Sequence, residues 1–264
     1  MKIAVLGANG FLGKHIVKWF SHEHTVTPIT RQTIDLLNPI SVKNELQQNR
    51  YDVIINSAAS YTENHDLTDA RNNLGMFMNF YNNSDLFGKF INLGSGAEFD
   101  REQNIEQATE ELIFERSPND SYGFGHNVKS RLCYERHNFY TIRIFNCFGP
   151  GEKHSRIFPR FLSCEDTLEI TNDRFFDYFS VRDLCYLIQD CIVRDWNLKD
   201  VNAVYAEKLR ISDALRLFCR VNNMPERFSI SSISSNNYTG DSKKISSLNL
   251  PLTGIVQGFK DYLI

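Results

Sequence analysis

The 264-residue chain is predicted to be α/β, with a doubly wound parallel sheet followed by a smaller C-terminal α+β part. Three observations predict it. Short β-rich apolar runs alternate with helix-period segments through the first 150 residues, as right-handed βαβ units require. A glycine-rich turn, GANGFLG, directly follows the first apolar run and opens a helix. Beyond Pro150-Gly151 the alternation stops.

The elements follow in order. KIAVL at 2–6 is a strand, and FLGKHIVKWF at 11–20 carries apolar residues at helical spacing. TVTPIT at 25–30 is a second strand whose Pro28 places it at an edge or a bulge. A helix at 40–48 leads to DVIIN at 52–56, apolar on both faces as a buried parallel strand is. Then come a helix at 67–84, a strand KFINL at 89–93, a helix at 121–137 and a strand YTIRIF at 140–145. The C-terminal part reads as a hairpin over 166–180, a helix at 181–195, serine- and asparagine-rich loops at 229–247 and a closing helix at 252–263. Residues 1–150 therefore form one domain and 151–264 a smaller part, with a segment near 176–195 returning to the first.

A 42% hydrophobic and 23% charged composition excludes disorder and low-complexity assembly. A net charge of −3 makes nucleic acid and anionic membranes poor partners. No apolar run approaches the roughly 18 residues of a membrane span. The first apolar stretch breaks at glycine after about five residues, which suits a strand better than an export signal. Six scattered cysteines (133, 147, 164, 185, 191, 219) lack any CxxC and predict reduced thiols in a cytoplasmic protein. His22, His24, His65, His137 and His154 show no ligand spacing, so no metal is expected. The phenylalanines at 145, 148, 158 and 161 read as core.

Gly7, Gly10 and Gly13 have separate duties: the tight turn, close approach of backbone to a pyrophosphate, and close helix–sheet packing. With Asn9, Phe11 and Leu12 they make a Rossmann-type cradle, where the helix N-terminus offers free N–H donors to phosphate. The bland alternative is a turn with packing duties only. A strand that reads NAD ends in an acid, whereas this second strand ends in Thr30-Arg31. A hydroxyl and a guanidinium suit a 2′-phosphate, so NADP(H) is the expected cofactor.

The glycine turn, NSAAS at 56–60, LGSGAEF at 93–99, SYG at 121–123, RIFNCFGP at 143–150 and FFDYFSVRDL at 175–184 occur in one order. Together they resemble the extended short-chain dehydrogenase/reductase family acting on nucleotide sugars, over nearly the whole chain. The branch with GDP-fucose synthase and the dTDP-4-keto-sugar reductases is the most similar. The resemblance implies that Ser95 and Tyr122 are catalytic: the phenol protonates a carbonyl oxygen while hydride reaches the carbon, and Ser95 polarises the carbonyl. It also implies that Asp35 and Leu36 lie at the adenine, that Ser57, Ala58 and Ala59 run along the cofactor, and that the protein is a homodimer through the helices at 67–84 and 121–137.

One departure concerns the family's YxxxK. Here the i+4 position is His126, while Lys129 lies at i+7, about 10 Å along the axis. A largely neutral histidine supplies less positive field, which favours reduction, where the phenol starts protonated, over oxidation. The rival reading is a dinucleotide-binding sensor that has lost turnover with its lysine. The dehydratases' Asp-Glu pair is replaced by Gly96-Ala97. The epimerase-reductases' cysteine and histidine are replaced by Ala97 and Arg156. Ketoreduction of a 4-keto-6-deoxy nucleotide sugar survives this subtraction, with 4-epimerisation as the rival. Arg156 and Arg174 are the candidate diphosphate ligands, as against Lys153 and Arg160, and Asn146 the candidate neighbour of the sugar.

Overall fold

The computed structural model describes residues 1–60, 67–233 and 236–263, so His65 lies outside it. A six-stranded parallel sheet forms its centre, its strands lying in the order 200–203, 139–144, 89–95, 53–56, 2–6 and 25–29. Its elements run β1 (Lys2–Leu6), α1 (Phe11–Phe20), β2 (Thr25–Ile29), α2 (Pro39–Asn49), β3 (Val53–Asn56), α3 (Leu67–Tyr81) and β4 (Lys89–Ser95). After β5 (Ile105–Ala108) come α4 (Ser121–Tyr134), β6 (Phe139–Ile144), β7 (Cys147–Phe148), α5 (Ile157–Ser163), β8 (Leu168–Ile170), β9 (Phe175–Phe176) and β10 (Phe179–Ser180). The chain ends with α6 (Val181–Val193), β11 (Asp200–Ala203), β12 (Leu209–Arg210), α7 (Ile211–Val221), β13 (Phe228–Ile230), β14 (Tyr238–Gly240), α8 (Lys243–Ser247) and α9 (Gly254–Asp261).

Strand alternation divides the core. Ile3, Val5, Val53, Ile55 and Ile91 pack with α1 and α6 on one face, whereas Ala4, Leu6, Ile54 and Phe90 pack with α2 and α3 on the other. Both faces are covered, which explains strands apolar throughout. β2 is the edge, so Pro28 removes no ladder bond from a central strand. The α2 start is set by Asn38, whose Oδ1 accepts from the Ile40 and Ser41 amides at 3.0 and 3.1 Å.

Two expectations fail in the C-terminal part. The segment 166–180 is not a hairpin: β8 pairs in parallel with β13, and β9 pairs with β12 and β14. Between them the buried Asp173 carboxylate accepts from the Ser212 amide and hydroxyl at 2.9 and 3.0 Å, which sends the chain to α7 instead of back on itself. The run 229–247 is not all loop, since it contains β14 and α8, and Tyr238 is buried among Phe99, Phe145 and Val204. Local composition misleads there because the partners of β14 are β5 and β9, supplied from far away in sequence.

Residues 179–203 return to the sheet, through α6 against α1 and β11 beside β6. Asp183, fully buried at the start of α6, accepts from the Thr253 amide, the Thr253 hydroxyl and the Gly254 amide, each at 2.9 Å. That tie carries the closing helix α9 to the same scaffold. All six cysteines are free thiols. No helix among the described residues is long and apolar enough to cross a membrane.

Candidate active site

A cavity of about 830 Å³ opens at the carboxyl ends of β1, β3 and β4, where the strand order reverses between β1 and β3. Along its wall stand Gly7, Asn9, Gly10, Phe11, Leu12 and Gly13, then Thr30, Arg31, Ser57 and Ala59. Ser95 and Tyr122 sit mid-wall, and Arg156 and Arg174 line it from the C-terminal part.

The glycine turn has no room for side chains. Gly7 has a φ of +73°, and a Cβ there would stand 2.8 Å from the Ala58 backbone. A Cβ on Gly13 would stand 2.2 Å from the Gly7 carbonyl oxygen. Gly10 caps α1 with no side-chain acceptor, so the first-turn N–H groups are left to a ligand. These features fit a dinucleotide pyrophosphate.

Ser95 ends β4 and caps the short turn Gly96–Phe99. Its Oγ accepts from the Ala97 amide at 3.2 Å, which leaves the hydroxyl hydrogen to donate. Its own amide donates to Glu98 Oε1 at 2.8 Å. The fully buried Arg143 holds Glu98 at 2.7 Å, and reaches Asp200 at 3.0 Å and Asn202 at 3.1 Å. The serine is thus fixed through a charged network that spans β4, β6 and β11.

Tyr122 lies in the first turn of α4, capped by Asp120, whose Oδ1 accepts from the Gly123 amide at 2.8 Å. Burial raises the Tyr122 phenol above its ordinary range, against hydrogen bonding by Ser95 and the positive charges of Arg101 and Arg156, while Glu98 adds to the rise. Tyr238 lines the same cavity, where burial raises its phenol against hydrogen bonding by Ser95.

The remaining sequence candidates stand behind the wall. Asp35 accepts from the Leu37 amide at 2.9 Å, and Leu36 packs into the core beside Val42 and Leu46. Ala58 backs the glycine turn. Asn146 is buried and accepts from Arg156 at 2.7 Å, which aims that guanidinium. His126 is buried beneath Tyr122, with ring centroids 4.6 Å apart, and neither ring nitrogen has a hydrogen-bond partner among the described residues. Burial, with Lys129 and Arg101 adding to it, drives His126 well below its ordinary pKa and so keeps it neutral. Lys129 is buried too, and burial brings it down to about 8.

Sequence reasoning missed Tyr238 and Arg101, and assigned Phe145 to the core although it also lines the cavity. Nothing local marks Tyr238, which lies in a polar run. Arg101 follows Asp100, a non-glycine residue with φ of +71° that turns the chain into the site. Among the described residues no cluster of three His, Cys, Asp or Glu could hold a metal ion.

The model of the NAD dependent epimerase/dehydratase family matches residues 3–189. The chain is 25% identical over 246 residues to the GDP-6-deoxy-D-talose 4-dehydrogenase of Aggregatibacter actinomycetemcomitans, covering 84% of this chain and 80% of that one. It superposes with a TM-score of 0.78 and 17% identity on the NADP-bound GDP-mannoheptose C4 reductase of Campylobacter jejuni, over 99% of this chain and 98% of that one. UDP-glucose 4-epimerase of Thermotoga maritima, solved with UDP-glucose, gives 0.82 and 16%, over 100% and 97%. The two structural likenesses speak for the fold.

Proposed function

The chain belongs to the NAD dependent epimerase/dehydratase family, and from that premise we propose that it is an NADPH-dependent reductase of a nucleotide-activated 4-keto-6-deoxy sugar, a hexose or heptose. One observation carries the reading: a single cavity joins the glycine cradle and Arg31 to the Ser95–Tyr122 pair and onward to Arg156 and Arg174. The C4 chemistry in the names of the curated relative and of the heptose reductase supports it. A cytoplasmic step in making a surface-polysaccharide sugar completes the proposal.

When bound, NADPH supplies the hydride to the carbonyl carbon. Ser95 donates its hydroxyl hydrogen to the carbonyl oxygen, and Tyr122 gives that oxygen its proton, leaving a phenolate that solvent reprotonates. Arg31, exposed at the rim, meets the 2′-phosphate. Arg156 and Arg174 hold the substrate diphosphate.

Water elimination is disfavoured by packing. A Cβ on Gly96 would stand 2.5 Å from the Phe145 ring, so an aspartate has no place there. The 4-epimerase alternative needs NAD held permanently and a ready phenolate. Arg31 and the neutral His126 both argue against it.

The reading is tested by following absorbance of the reduced nicotinamide, with NADPH and with NADH, against a panel of 4-keto-6-deoxy nucleotide sugars. Consumption of NADPH is expected, and Arg31→Ala is expected to weaken NADPH about tenfold with little effect on NADH. Failure to bind either dinucleotide in calorimetry would sink the proposal at its first motif.

The proposed homodimer would form through α3 and α4, which pack together and carry the exposed Leu67 (80%) and Phe124 (47%). Light scattering should give twice the chain mass, and a monomer at micromolar concentration would refute it.

A further inference from the structure

Burial makes the Tyr122 phenol costly to deprotonate, and the position one helical turn on holds no cation. His126 is there, buried and neutral. The next basic residue of the helix, Lys129, is buried behind it and does not line the cavity. A fixed cation does reach Tyr122, from outside α4. The Arg101 guanidinium lies over the Tyr122 ring, 5.4 Å from its centroid. Its Nη2 meets Asp120 Oδ1 at 2.8 Å, and that same oxygen caps α4 by accepting from the Gly123 amide. Asp120 therefore ties the guanidinium to the very turn that carries Tyr122.

The backbone is bent to make this contact. Asp100 has φ of +71°, outside the range that side chains other than glycine favour, and it is buried. Its carboxylate holds the turn by accepting from the Glu102 amide at 3.2 Å and Gln103 Nε2 at 2.9 Å. Backbone strain of this kind collects at functional sites, and here the residue it aims is Arg101.

We propose that Arg101 is a positioning residue of the reaction centre, clamped by Asp120 so that a permanent positive charge stands over Tyr122 and stabilises the phenolate left when its proton moves to the carbonyl oxygen. The inference deepens the ketoreductase reading and rests on it for the identity of the acid. An arginine stays charged across the working pH range, so the field does not titrate with the neighbourhood. The other groups facing the phenol are the Ser95 and Tyr238 hydroxyls, the neutral His126 ring, Arg156 and the buried Glu98. Of these only Arg156 is cationic; it acts on the phenol in the same sense as Arg101 but is held from another direction, by Asn146, and is not tied to the turn that carries Tyr122.

The test uses the full chain labelled with 13Cζ-tyrosine, the Tyr122 signal being assigned by its loss in Tyr122→Phe. In Arg101→Gln the Tyr122 titration is expected to move up by about 1 pH unit, a tenfold loss of acidity. Arg101→Lys should restore most of it. Asp120→Asn keeps a helix-capping oxygen but releases the ion pair, and should give a smaller rise of the same sign. A Tyr122 titration unchanged in Arg101→Gln would overturn the inference, as would a higher KM for the sugar nucleotide with no change in titration. A shifted titration in a protein inert towards every keto sugar would leave the electrostatic role standing and overturn the ketoreductase reading instead.

Discussion

Tyr122→Phe is expected to lower the rate of carbonyl reduction by about 10²- to 10⁴-fold, the usual worth of a positioned general acid, with NADPH affinity unchanged. The substitution is close to isosteric. The ring keeps its packing on His126 at 4.6 Å and its place beneath Arg101, and only the hydroxyl is lost. Ser95→Ala should cost less, about 10²-fold, because it removes a hydrogen bond to the developing oxyanion and leaves the proton source in place. Single-turnover measurements with NADPH and the keto sugar separate this chemistry from binding. A Tyr122→Phe enzyme of full activity would remove Tyr122 from the mechanism and hand the proton to Tyr238, the other phenol lining the cavity.

That second phenol shows where the sequence stops being legible. Ser95 and Tyr122 are legible through LGSGAEF and SYG, two of the motifs that carry the family resemblance, which stand at the end of a strand and the start of a helix. Pro28 likewise announces its edge strand. Tyr238 lies in a serine- and asparagine-rich run, and its strand exists only because β5 and β9 offer it partners from more than sixty residues away. The imagined hairpin over 166–180 fails for the same reason, since β8 and β9 choose distant strands over each other. Asp35, Leu36 and Asn146 carry the motif but spend their side chains on a turn, the core and Arg156. A motif fixes where a residue stands in the chain, whereas what its side chain faces depends on packing that a linear pattern does not encode. Arg101 is the converse case, aimed by a positive φ at Asp100 that has no compositional mark.

Arg143→Met is expected to destabilise the fold by about 3–5 kcal/mol, the cost of leaving buried charge unpaired, which is a large share of a typical total of about 5–15 kcal/mol. Arg143, Glu98 and Asp200 have no exposed side-chain surface. Asp200 would keep Lys244 at 3.0 Å, so most of the cost falls on Glu98, which has no other cation within 4 Å among the described residues. The double variant Arg143→Met with Glu98→Gln should therefore recover part of the loss in urea denaturation, and a single variant within about 1 kcal/mol of wild type would refute the role. The pH dependence has a definite sign. In the native protein burial raises the Asp200 carboxyl, but Arg143 and Lys244 outweigh it and hold the pKa below the ordinary value. That pairing contributes stability above the unfolded-state pKa of about 4, and the contribution is lost as pH falls. Without Arg143 the advantage shrinks, so the gap between variant and wild type should narrow towards acid pH. The same substitution should also slow catalysis at temperatures where the variant is folded, because Glu98 holds the Ser95 amide at 2.8 Å. Stability and chemistry here share one guanidinium, which is fully buried and does not line the cavity.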